Sequence, residues 1–517
     1  MARGLLSFAI LSLGLHVCLF GVVSSNHLRS LTLSWKATDE SSKVDINWRF
    51  SFSRSWGSQV CDESDISNGT LIDVGEHLEC QQCSNNEIAR IKYQCTDYSQ
   101  AEDWQTGEGS SRLTIEPGIT AFDLLYSGCC WMTLGNAGAG YSAQAHVDLT
   151  QNRGVINSSP MTSWMPETRI QLGCETTLTI PMSDPDGDVV KCRWASGTNE
   201  SGSVSPMPNS TLDESTCSLS IGDRLMSGWY AVALMIEDFA SPMSTTAKSK
   251  IPLQFVVNVY YSYDACDERP TLIHPTPGQG SCRGASPGEI FSLQIRAKAS
   301  ISPILEIETS SPIGMTTSDV SLVPGKSNEY YITAMWTPDE SQTGAHIFCF
   351  DALDSEGHTS EVRCINLVVG EPPKVIETSP VEGSTIPTSL GVLTFKFDQP
   401  INLISISTSV FVQSLYGMNM YTGSVTQTSP DTIQIQLSGT LYVDVAYSIT
   451  LMEGTVQSRG ACPFMSARHI VNVYTTWQTP AWTTDSFYTA ATTVTEDGTT
   501  PFLDYWNTTP FEGTGAH

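Results

Sequence analysis

Basic residues are scarce in this 517-residue chain: Lys and Arg total 26 against 54 Asp and Glu, for a formal net charge of −28. Such a polyanion is repelled by the phosphates that nucleic-acid binders neutralise with clustered Lys and Arg, and by an anionic membrane leaflet. Charge of either sign is sparse, at 15% of residues, where about 25% is usual. The acids are dispersed, with no long Asp or Glu run, so the acidity is a property of a base-poor surface and not of a dedicated acidic segment. Beyond residue 23 nothing approaches the ~18 consecutive apolar residues of a spanning helix. HExxH is absent, the nine His form no cluster, and Cys80-x-x-Cys83 has no second ligand pair, which argues against zinc. Apolar mass is not lacking: hydrophobic residues make up 40%, enough for packed cores and against wholesale disorder. At about 100 to 200 residues per domain, the length suggests roughly three to five domains.

The start of the chain reads as an export signal. Arg3 precedes an almost uncharged apolar run over residues 5–23, and Val23 and Ser25 sit at −3 and −1 of a cut before Asn26. The C-terminus lacks the hydrophobic tail of a GPI anchor. The expectation is a secreted, soluble product with no membrane span. Cysteine usage agrees. Cys18 leaves with the leader, and fourteen remain: Cys61, Cys80, Cys83, Cys95, Cys129, Cys130, Cys174, Cys192, Cys217, Cys266, Cys282, Cys349, Cys364 and Cys462. An even set in an exported chain is expected to form disulfides. Cys192 with Cys217 and Cys349 with Cys364 are plausible local pairs; connectivity is otherwise open. Adjacent Cys129 and Cys130 are expected to bond two different partners, because a ring closed across one peptide is strained. N-x-S/T acceptors at Asn68, Asn157, Asn199, Asn209 and Asn507 are candidate glycan sites.

Period-2 alternation dominates the rest. Val44, Ile46, Trp48 and Phe50 alternate with polar neighbours, as do Leu393, Phe395 and Phe397, then Ile433, Ile435 and Leu437. Such runs bury one face of a sheet, and Gly, Pro, Ser, Asn and Asp clusters separate them at short intervals. No segment sustains an amphipathic helix of three turns. The predicted fold is all-β: tandem Ig-like or cadherin-like β-sandwiches stapled by disulfides. The expected divisions are a signal peptide (1–25), a Cys- and Trp-rich N-terminal sandwich (26–155), two Ig-like sandwiches (156–262 and 263–370), a fourth Ig-like unit (371–474) and a Thr-rich tail (475–517). The second and third units close alike, each with a strand, an Asp-containing turn and a final strand, as sandwiches of about 100 residues do. The tail has no Lys or Arg and no core periodicity, and is expected to be disordered.

Two blocks carry resemblances. Residues 372–380 and Leu393-Thr394-Phe395-Lys396-Phe397-Asp398-Gln399-Pro400 resemble a bacterial-type (SbsA-like) Ig-like domain, which implies a spacer or adhesion module. The block Asn157-Ser158-Ser159-Pro160-Met161-Thr162, then Ile180-Pro181-Met182-Ser183-Asp184-Pro185-Asp186-Gly187-Asp188, is similar to large secreted proteins of marine invertebrates, corals and molluscs among them. Some of those belong to the organic matrix of mineralised skeletons. The resemblance covers about residues 30–370 and implies scaffolding, with no catalytic residues to carry over.

Asp184, Asp186 and Asp188 are the sharpest metal candidates, since Ca²⁺ takes six to eight hard oxygens. The spacing is not that of an EF-hand, and the plainer reading is a turn, where Pro-Asp-Gly suits the backbone. Asp238, Asp351 and Asp354 read as similar turns. Gly284-Ala285-Ser286-Pro287-Gly288 matches G-x-S-x-G, but a strand pattern follows it where a nucleophile elbow needs a helix. The twelve Trp read as core anchors before sugar platforms, and Trp104, next to Asp103 in a polar loop, is the best candidate for an exposed one. The sequence therefore predicts a non-enzymatic, acidic extracellular matrix protein. It would be a scaffold of a biomineral matrix, with matrix components or a mineral surface as partners, no nucleic acid, and no cofactor apart from a candidate calcium ion. The alternative is an adhesion or recognition protein whose N-terminal unit binds glycan or protein.

Overall fold

The structure, a computed structural model, describes residues 27–476 apart from residues 39, 41, 56–58, 151–155, 390, 405–409, 415–419, 438–439, 460–461 and 463. The expected leader, Asn507 and all but the first two residues of the Thr-rich tail lie outside the described residues. The regular structure among the described residues is almost entirely strand. The helices among the described residues are short, Glu63–Asn68 and Gly197–Ser201 with the 3₁₀ turn Glu340–Gln342. The alternating residues fall where the pattern places them: Val44, Ile46, Trp48 and Phe50 are buried, as are Leu393, Phe395, Phe397, Ile433, Ile435 and Leu437.

The first and second units are not separate sheets. An 11-stranded sheet runs through Leu28–Ala37, Lys43–Ser53, Trp104–Thr114, Glu87–Ser99, Leu71–Cys80, Ala121–Cys129 and Gly140–Asp148, then passes into Ser249–Tyr260, Gly228–Phe239 and Val189–Trp194. Ser249–Tyr260 also pairs back onto the first strand, with Ser30 opposite Phe255 and Thr32 opposite Leu253. The hydrogen-bonded path through the N-terminal strands thus returns on itself through a strand of the second unit, a closure that leaves no bare edge at that seam. Gln254 is buried there and donates from Nε2 to the carbonyls of Ser142 (2.7 Å) and Glu200 (2.9 Å). The Trp35 indole donates to the His146 carbonyl (3.1 Å). One apolar cluster runs from Leu28 to Val259 and takes in Ile347, Cys349 and Cys364 of the third unit. The division expected at residues 155/156 is therefore crossed by a continuous sheet and a continuous core.

The third unit is a two-sheet sandwich. Phe291–Lys298 and Glu329–Trp336 lie in one sheet; Ile304–Ser310, Gly344–Asp354, Arg363–Val369 and Cys282–Ala285 form the other. Trp336, Phe348 and Phe350 fill the space between them. The fourth unit has its own core, from Ile386 to Val473. Contact with the third includes the bond of Cys462 to Cys282 and the Phe464 ring over Gly284 and Gly370.

All fourteen cysteines are paired. The two local pairs expected from spacing form. Cys61–Cys95, Cys80–Cys83, Cys174–Cys266 and Cys282–Cys462 join them. Cys80 and Cys83 thus serve as a disulfide. The expectation for Cys129 and Cys130 is corrected: they bond each other, and the other twelve cysteines are already matched among themselves, which leaves no second partner for either.

Candidate functional site

Two groups of acidic side chains are drawn together in the fold. The first is the turn at residues 184–188, between the strands Met182–Ser183 and Val189–Trp194. Asp184 Oδ1 accepts the backbone N–H groups of Asp186 (2.9 Å) and Asp188 (3.0 Å), and Gly187 adopts φ 80° to complete the bend. Such Asx-type bonding fixes a turn without any metal. Asp186 Oδ2 accepts the Ser158 N–H (2.6 Å). Lys248 Nζ donates to Asp188 Oδ2 (2.5 Å) and to Asn157 Oδ1 (3.1 Å). Asp238, buried behind the turn, takes Asn157 Nδ2 (2.6 Å) and both donors of Ser249.

The three candidate ligands Asp184, Asp186 and Asp188 each place one carboxylate oxygen within 4.8 Å of the others. Asp184 Oδ2 is buried and unpartnered. Burial, with Asp238 and Asp186 nearby, pushes the Asp184 carboxyl up to about 6, against the pull of its two backbone donors. Burial alone would lower the Lys248 ammonium, but its hydrogen bond to Asp188 raises it overall. One oxygen of each carboxylate is thus already engaged, by the turn backbone, by Ser158 and by Lys248, and that ammonium already supplies positive charge.

The second group is not legible as a group in the sequence, where Asp351 alone stands out and reads as a turn residue. It lies where the first three units meet. Glu308 and Asp351 face each other across neighbouring antiparallel strands and are both buried. Glu308 Oε1 and Asp351 Oδ1 have no partner. Glu102 accepts Arg169 Nη1 at 3.2 and 2.9 Å. The same guanidinium donates to the Gly357 carbonyl (2.9 Å) and lies over Tyr260. Glu167 takes Asn258 Nδ2 (3.2 Å) and has Arg29 at 3.8 Å. Burial first, then the Glu102 charge, pushes Asp351 up to about 8, and burial drives Glu308 and Glu167 well above the usual carboxylate range. A buried carboxylate without a partner is costly when ionised, so Glu308 and Asp351 favour sharing a proton at neutral pH. Asp351 is therefore not a turn residue, as its sequence context suggested. It belongs to the strand Gly344–Asp354. Asp354 does shape the turn that follows, accepting the N–H groups of Glu356 (3.0 Å) and His358 (2.9 Å).

Beside this group a polar lock joins the first and third units. Asp97 accepts Thr309 Oγ1 (2.6 Å), Ser311 Oγ (2.6 Å) and Ser311 N–H (2.8 Å). Arg49 donates to the Ser311 carbonyl and to Glu108, both at 2.5 Å. This explains why Lys43–Ser53, alternating at its start, is buried on both faces at its end.

Asn68, Asn199 and Asn209 are exposed. Asn157 is half-buried, and its Nδ2, the atom that would carry a glycan, is engaged by Asp238 and by the Ser158 carbonyl. Trp104 is corrected: it is fully buried, paired opposite Ser53 and Ser99 within the sheet, and presents no face to a sugar. Ser286 lies between the strands Cys282–Ala285 and Phe291–Lys298 with no helix after it. The glycine at 284 has a packing role: a Cβ there would meet the Phe464 ring at 2.6 Å.

Comparison with known proteins adds family information at both ends. Residues 29–150 match the family described as "Integrin beta-like protein A-E, N-terminal", and residues 369–476 match "Bacterial Ig-like domain". The chain is 22% identical over 288 residues to integrin beta-like protein A of Dictyostelium discoideum, covering 53% of this chain and 14% of that protein. It is 21% identical over 403 residues to integrin beta-like protein B of the same organism, covering 69% and 19%. The chain thus spans a fifth or less of the length of these curated relatives. Among solved structures, a titin I-band fragment, I67–I69, aligns at 12% identity and a TM-score of 0.20, covering 62% of this chain and 99% of that one. Extracellular domains 3–5 of Drosophila OTK align at 12% and 0.20, covering 60% and 94%. Superpositions this loose carry no functional weight. With its strand topology and the match at residues 369–476, the chain is an all-β assembly of tandem Ig-like units.

Proposed function

We propose that this chain is an extracellular adhesion or recognition protein, and that its recognition surface lies on the fused first and second units. The observation that carries this reading is the match of residues 29–150 to the N-terminal region of integrin beta-like proteins. Seven disulfides fit an oxidising, extracellular compartment. Ig-like units in series suit a spacer that holds such a surface away from its base. No helix among the described residues is long and apolar enough to cross a membrane. Asn68, Asn199 and Asn209 are proposed to carry glycan on the exposed surface. Beads coated with the whole exported chain are expected to be retained on cells or matrix, and soluble chain should compete. Retention no better than that of beads carrying an unrelated Ig-like protein would overturn the reading.

A second reading, a scaffold of a mineralised matrix with weak calcium association, draws on the convergence of Asp184, Asp186 and Asp188. Calcium would have to recruit the unpartnered Asp184 oxygen and displace Lys248 from Asp188. If it binds there, millimolar CaCl₂ should raise Tm in the native chain and not in Asp184→Asn. An equal response in both would remove this site from the reading. The relatives found are integrin beta-like proteins of Dictyostelium discoideum, which favours adhesion over mineral.

A further inference from the structure

A disulfide holds a fold together by closing a loop that the unfolded chain would leave open. Cys282–Cys462 and Cys174–Cys266 do so across sequence separations of 180 and 92. Cys61–Cys95, Cys192–Cys217 and Cys349–Cys364 do so across 34, 25 and 15. Cys129–Cys130 joins neighbours that a peptide bond already holds together, so it closes no loop and staples nothing.

Burial separates this pair from the rest as well. Both partners are buried in Cys61–Cys95, Cys192–Cys217 and Cys349–Cys364. Cys80, Cys174 and Cys462 are the buried halves of the pairs with Cys83, Cys266 and Cys282. Cys129 is exposed and Cys130 half-buried, so of the seven pairs this is the one with neither partner buried. Cys129 ends the strand Ala121–Cys129 opposite the exposed Gly140, which has no side chain to shield it.

In thiol–disulfide exchange a thiolate attacks one sulfur and the other leaves as a thiolate. Exposure helps both: the attacked sulfur is reached, and the departing thiolate is solvated outside an apolar core. The segment after the pair has its own anchors. The Cys130 carbonyl accepts the Leu28 N–H (3.1 Å), and the Trp131 N–H donates to the Ala139 carbonyl (2.8 Å). The Trp131 ring is buried edge-on against Tyr141. The bond can therefore open while the fold stays closed.

We propose that Cys129–Cys130 is a thiol-exchange site, open to external thiols while the other six disulfides remain intact. The assignment does not depend on the adhesion reading. An incoming thiolate attacks the Cys129 sulfur and forms a mixed disulfide with it. The Cys129–Cys130 bond breaks, and its electron pair leaves on Cys130, which takes a proton from water. With a monothiol, the reaction stops there or reverses as Cys130 expels the newcomer. With a dithiol, the second thiolate attacks the incoming sulfur, and Cys129 leaves and is protonated. The dithiol is oxidised to its disulfide, and the pair gains two electrons and two protons as two Cys thiols.

The whole exported chain should be incubated under native conditions with dithiothreitol in one arm and reduced glutathione in another. Each sample is quenched with acid, alkylated with N-ethylmaleimide and mapped by peptide mass spectrometry. Dithiothreitol is expected to free Cys129 and Cys130 about tenfold faster than any other cysteine, because buried pairs exchange only after local opening. Glutathione is expected to leave an adduct on Cys129 and a free thiol on Cys130. Cys129→Ser/Cys130→Ser should keep the native Tm and lose the early labelling. Cys174→Ser/Cys266→Ser, which removes a loop-closing bond, should melt lower. Labelling that begins at Cys80–Cys83 or Cys174–Cys266, or proceeds at one rate for all pairs, would overturn the proposal. So would peptide maps of the untreated chain that link Cys129 and Cys130 to different partners. A Cys129→Ser/Cys130→Ser chain that melts as low as Cys174→Ser/Cys266→Ser would also overturn it, by making the pair a staple.

Discussion

Ser249–Tyr260 and His469–Thr476 each end a unit, and they bury themselves in opposite ways. His469–Thr476 alternates: Val471 and Val473 face the core while Ile470 and Tyr474 face solvent. Ser249–Tyr260 is buried from Ile251 to Val257 without a break. The alternating strand closes a sandwich whose core belongs to residues 386–473 alone. The uniformly buried strand lies in the core shared by the first two units, and both its edges are taken, one by its hairpin partner and the other by Glu167–Gln171 and the first strand of the chain. In this pair, unbroken burial goes with the strand shared between units and alternation with the one that is not.

The largest expected effect follows from cutting the chain at the two kinds of boundary. Residues 369–476, with Cys462→Ser to remove the free thiol, should fold alone and melt cooperatively. Residues 26–155 should not, since both Leu28–Ala37 and Gly140–Asp148 would be left as bare edges. Extension to residue 267 restores the closing strand and the Cys174–Cys266 pair, and should restore folding. Thermal melts followed by circular dichroism decide this. An independently folded 26–155 fragment would erase the contrast.

A smaller, graded effect should come from Arg49→Ala. It leaves Asp97 and Glu108 without their guanidinium between the first and third units, and removing one partner of a buried pair costs about 3–5 kcal/mol. In denaturant unfolding of the whole chain, the transition of the first three units should shift to lower denaturant, while that of the fourth stays in place. A matching shift of both would mean the fourth unit is not separate.

The smallest effect is a pH dependence confined to the junction. Asp351 is held up to about 8 by burial, with the Glu102 charge adding and Glu308 and Arg169 opposing. A carboxyl raised in the folded state keeps a proton that the unfolded chain loses, so stability falls as pH rises from about 4 to about 8. Asp351→Asn should flatten the Tm profile across that window and gain about 2 kcal/mol over the native chain at pH 8. The fourth unit should show no such term. A variant profile parallel to the native one would place the titration elsewhere.

Much of the architecture could be read from residues alone. The alternation of Leu393, Phe395 and Phe397 names a half-buried strand directly, because side-chain direction there depends on nearest neighbours only. Cys192–Cys217 and Cys349–Cys364 followed from short spacing. Trp104 failed for the converse reason: beside Asp103 it resembles a loop residue, and its burial depends on strands that pair across it. The junction was hidden altogether. Asp97 meets Ser311 across 214 positions, and nothing local to either residue announces the other. The fusion of the first two units does leave a signal, the near-continuous apolar stretch at residues 251–257, which is wrong for a strand with a wet face.

Native-state hydrogen exchange on Phe255→Ala tests the shared strand most directly. Phe255 is fully buried opposite Ser30 and Val232, and its truncation should cost about 3–5 kcal/mol. If Ser249–Tyr260 closes both units, amide protection should fall together in Leu28–Ala37, Gly140–Asp148 and Gly228–Phe239, and remain unchanged in His469–Thr476. Loss of protection confined to residues 156–262, with the N-terminal strands untouched, would contradict the fusion of the first two units.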